Sequence, residues 1–103
     1  MLSVMNQFFE ELGGLWVAAA EKRGAVIESP GLDPRVALEL LELARVAAHT
    51  SERRFAPLSC FMAGVAAERL RMADPGLDDG VIADYIQEVR QKLETSSPEN
   101  LGR

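Results

Sequence analysis

Between Leu58 and Ala67 only Ser59 is polar, and this run constrains the fold more than anything else in the chain. With Ala56 and Pro57 in front, the apolar stretch reaches about 12 residues, well short of the roughly 20 that a membrane-spanning helix needs. Pro57 suits the first turn of a helix, because it has no N–H to leave unpaired there. The pattern therefore predicts a helix from Pro57 to about Met72, with Glu68, Arg69 and Arg71 only in its last turns. A helix apolar nearly all round needs cover on every side and is expected to be the buried, central one. Ala63, Gly64, Ala66 and Ala67 are small, so a neighbouring backbone is expected to pass closely, nearest to Gly64.

Three further segments have the periodicity to supply that cover. From about residue 3 to 23, Met5, Phe8, Phe9, Leu12, Leu15, Trp16, Ala19 and Ala20 recur at helical spacing. Gly13 and Gly14 interrupt this stripe at about 1 kcal/mol each relative to alanine, which permits a kink or a break. The apolar phase continues across the pair and favours one kinked helix. The stretch RGAVIESPGLDP that follows is rich in turn signals, with Val26 and Ile27 as loop anchors. Asp33 is a good N-cap, and Pro34 fits the first helical position. Val36, Leu40, Leu43, Ala44 and Ala47 then form an amphipathic stripe that ends near His49. After the turn ADPGLDDG, a fourth helix runs from about Leu77 to Glu94, with Ile82, Tyr85, Ile86, Val89 and Leu93 on one face.

Bulk properties narrow the function. The 103 residues suit one domain, and 48% hydrophobic content is enough for a core. A net charge of −5, with lysine and arginine scattered among acids, provides no basic face for nucleic acid. One cysteine excludes an internal disulfide and the multi-cysteine zinc sites. Cys60 lies in the apolar run and reads as a buried structural thiol. The N-terminal residues lack a basic, then apolar signal pattern, and the expected location is cytoplasmic. No phosphate loop, dinucleotide fingerprint, nucleophile elbow or two-histidine helix motif occurs.

The candidate site is the corner HTSERRFAPLS, between the second and third helices. His49 falls on the charged stripe of helix two, one turn after Arg45. Arg53 and Arg54 precede Pro57, and Ser59 follows in the first turn. Open N–H groups at a helix start favour an anion. Arg45, His49, Arg53, Arg54 and Ser59 therefore form a candidate phosphate or carboxylate pocket. This anion site is the second reading of the stretch; the first is a structural helix–helix corner, in which the arginines cap the carbonyls of helix two or pair with Glu52.

The segment from about 38 to 70 resembles a family of small, uncharacterised actinobacterial helical domains. The resemblance is carried by Leu41, Leu43, Ala44, Arg45, Ala48 and His49, then by Arg53, Ala56, Pro57, Leu58, Phe61, Gly64 and Ala66. The chain departs from that pattern at Phe55, where proline or alanine is usual, and in its longer N-terminal region. Members of that family stand alone or are appended to, or encoded near, proteins resembling molybdenum-cofactor guanylyltransferases. The resemblance implies an accessory role around molybdopterin chemistry, and it implies no particular activity because the family has none established.

The expected fold is all-α, a compact four-helix bundle with a buried central third helix. One domain is expected over residues 1–95, with a polar tail over 96–103. The expected function is a non-enzymatic accessory or interaction domain, with no cofactor and no metal. Its partners would be a second copy, docked through helix one, and a molybdenum-cofactor biosynthesis protein, with no membrane contact. The alternative is a small-molecule-binding protein that holds a phosphorylated ligand at the corner.

Overall fold

A computed structural model describes residues 2–95, with side chains described from residue 7 onward; Met5 and the polar tail expected over 96–103 lie outside these limits. Four helices, α1 (Leu2–Lys22), α2 (Pro34–Thr50), α3 (Phe55–Ala73) and α4 (Asp79–Thr95), make up the described residues, and no strand occurs among them. The chain divides into two compact units, Met1–Leu32 and Asp33–Arg103. The boundary falls in the Gly- and Pro-rich segment that the sequence marks as turn.

In the first unit, α1 runs unbroken through Gly13 and Gly14. Gly13 is buried, and a Cβ there would collide with the Ser29 hydroxyl and lie 3.3 Å from the Pro30 carbonyl oxygen. The loop after α1 thus folds back onto the helix at Gly13, where there is no side chain in its way, while a Cβ at Gly14 beside it would meet nothing within 4 Å. Gly24 closes the helix at φ +81°, a conformation that costs glycine little. The Ala25 N–H donates to the Ala20 carbonyl and the Gly24 N–H to the Glu21 carbonyl, a paired Schellman closure. Phe8 and Phe9 stack edge to face with centroids 5.0 Å apart. Phe8, Leu15 and Trp16 remain more than half exposed.

The second unit starts as its sequence dictates. The Asp33 carboxylate accepts from the Arg35 and Val36 N–H groups at 3.0 and 3.1 Å, and Pro34 opens α2. Asp78 caps α4 in the same way, accepting from the Val81 N–H at 3.0 Å, and Asp79 places an acid in the first turn. The core consists of Leu43, Val46 and Ala47 from α2, Ala67 from α3, and Ile82, Ala83 and Ile86 from α4. Each of its larger aliphatic side chains contributes roughly 1.5–3 kcal/mol by leaving water.

Ion pairs fix the seam between α2 and α4. Arg35 pairs with Asp84 and also donates to the Gly80 carbonyl at 3.2 Å. Further along, Arg90 pairs with Glu39 at 3.2 Å, and Arg45 approaches Glu94 at 3.8 Å. Early residues meet early ones and late meet late, so α2 and α4 run parallel, with α3 returning between them in sequence. Helix α2 packs extensively on both α3 and α4, whereas α3 and α4 touch only lightly.

The central helix of this unit is therefore α2, and the buried, central place expected of α3 is not what the structure gives it. Only Ala67 of α3 is buried, while Leu58, Phe61, Met62 and Met72 are 60–79% exposed. Gly64 is also exposed, and a Cβ there would meet nothing within 4 Å, so no backbone passes it closely among the described residues. Apolar residues on all sides require cover but do not provide it. Here α2 covers one face of α3, and α4 is engaged chiefly with α2.

Candidate functional site

The helix two to helix three corner is tighter than the sequence suggests. Helix α3 begins at Phe55, two residues before Pro57. The Phe55 N–H donates to the Glu52 carbonyl at 2.9 Å, and the Ala56 N–H to the Arg53 carbonyl at 3.1 Å. Of the four N–H positions that open a helix, two are already bonded and Pro57 brings none. The dipole end remains, but the cradle of free donors does not.

The five candidate residues do not converge. Arg45 donates from Nε and Nη2 to one Glu42 oxygen at 3.2 and 3.0 Å. That hydrogen bond, and then the Glu42 charge, hold its guanidinium above the ordinary arginine pKa. Arg54 donates from Nε to Glu52 at 2.7 Å and lies 5.8 Å from the Phe55 ring centroid. His49 points Nδ1 at the Arg45 carbonyl oxygen, 2.7 Å away. A carbonyl only accepts, so Nδ1 carries the proton. Arg53 lines an open hollow of about 390 Å³ with Ala48 and His49, and no acid pairs with it among the described residues. Ser59 lines a different hollow altogether. What remains of the corner site is one unpaired arginine beside one histidine.

That other hollow is smaller than the one at the corner but more apolar, and it opens where α3 and α4 touch only lightly. An apolar groove opens between them, floored by Leu43 of α2. Its first part, about 240 Å³, is walled by Ser59, Met62 and Ala63 on α3 and by Ile86, Val89 and Leu93 on α4. A second part, about 560 Å³, adjoins it through Met62, Ala66 and Tyr85 and extends to Arg69 and Ala73. This second hollow lies along α3 from Phe61 to Ala73, and Tyr85 is its one lining residue from α4. The sequence carried one signal of it: Leu58, Phe61, Met62, Val65 and Met72 share a helical stripe with Arg69, a charge that a covered face would not tolerate.

Cys60, half-buried on α3, sits with Sγ 3.6 Å from the Leu40 carbonyl oxygen. Burial raises its thiol pKa, so the thiolate is disfavoured at neutral pH. Among the described residues no group of three or more His, Cys, Asp or Glu is placed to hold a metal ion. No described helix is long and apolar enough to cross a membrane.

These features define a small all-helical domain whose most distinctive surface is apolar. The chain belongs to the family described as a domain of unknown function, DUF6457, whose model matches residues 10–100. No curated protein and no solved structure matches it.

Proposed function

We propose that this chain is a non-enzymatic interaction domain that works by holding another protein. The observation that carries this reading is the large apolar surface left open on α3, where Phe61 and Met62 are 73% and 71% exposed. Apolar patches of this kind mark contact surfaces more often than they mark idle ones. The tie to molybdenum-cofactor assembly rests on the resemblance of residues 38–70. Self-association through α1 is supported by the exposed Phe8, Leu15 and Trp16. Calorimetric titration of the chain with a molybdenum-cofactor guanylyltransferase-like protein tests the first tie, and saturable heat is the expected outcome. Absence of heat at tens of micromolar refutes it. Light scattering at high concentration tests the second, where a monomer mass refutes it.

A second reading keeps a phosphorylated ligand at the corner, because Arg53 is unpaired beside His49. Titration with inorganic phosphate or pyrophosphate, followed by the amide signals of residues 53–60, decides it. Saturable shifts that disappear in Arg53→Ala establish the site, and unmoved signals at millimolar ligand remove it.

A further inference from the structure

We draw no further inference here: the strongest candidate, the apolar groove between α3 and α4 above Leu43, carries none, because nothing in the structure shows what covers it.

Discussion

The Glu39–Arg90 pair makes the sharpest test of how α2 and α4 are held. Both side chains are only 14% exposed, their charged atoms are 3.2 Å apart, and Arg90 Nε is buried without a partner. At an effective dielectric of about 20, the attraction at this distance is roughly 5 kcal/mol, and loss of hydration offsets most of it. The pair therefore adds little net stability while intact. Glu39→Met removes one partner and leaves a guanidinium mostly out of water. A fully buried orphan of this kind costs about 3–5 kcal/mol. Glu94, 3.7 Å from Arg90, recovers part of that, so about 2–3 kcal/mol is expected. For a domain of this size the melting temperature should fall by about 10–20 °C. The double variant Glu39→Met/Arg90→Met should return to within about 1 kcal/mol of the parent, because two thioether side chains of similar volume fill the seam. Urea denaturation followed by circular dichroism, with an unchanged m-value, gives all four corners of the cycle. A single variant that loses under about 0.5 kcal/mol, or a coupling below that figure, refutes the argument and makes the pair a wet surface contact.

Gly13→Ala should displace the loop over α1 rather than break the helix: helicity holds, and amide signals of Ser29 to Gly31 move. Unmoved loop signals refute the close approach. Gly64→Leu should be tolerated, with a melting temperature within a few degrees of the parent or above it, because leucine favours the helix and meets open space; a loss beyond about 2 kcal/mol would mean that a backbone does pass there. Cys60 should react with iodoacetamide more slowly than a free thiol at pH 8, and unfolding in urea should remove the difference. Its folded pKa lies above the unfolded value, so its contribution to stability is complete below the unfolded thiol pKa and declines as pH climbs through the folded one. A stability that rises over that range in wild type but not in Cys60→Ala contradicts the sign.

The α2 and α4 helices were legible because their signals are local. Asp33 and Pro34 cap and open α2 as read, and Ile82 and Ile86 fall on the buried face that their spacing predicts. Gly13 was legible as an anomaly only; the reason for it is a loop more than a dozen residues away in sequence. The start of α3 differs from its expected place by two residues, since Glu52 and Arg53 offer carbonyls that start α3 before Pro57, and no side-chain pattern announces that. The groove was the least legible feature. An all-apolar run states that cover is needed, but which face receives it depends on where α4 packs, and α4 packs chiefly on α2, through Ile82, Ala83 and Ile86, with the ion pairs from Arg35 to Glu94 along the seam. Arg69 within the α3 stripe was the one residue that marked the open side.

The open stripe on α3 also sets how the molecule behaves in bulk. Phe61, Met62 and Met72 face solvent on a chain with a pI near 4.8. At neutral pH the charge of −5 keeps neighbouring molecules apart. As the solution is acidified toward pH 5 that repulsion vanishes while the apolar stripe stays the same, and colloidal attraction takes over. The window of good solubility is thus set by net charge acting against one helix face, and polar substitution of Phe61 and Met62 should widen it toward acid without altering the core.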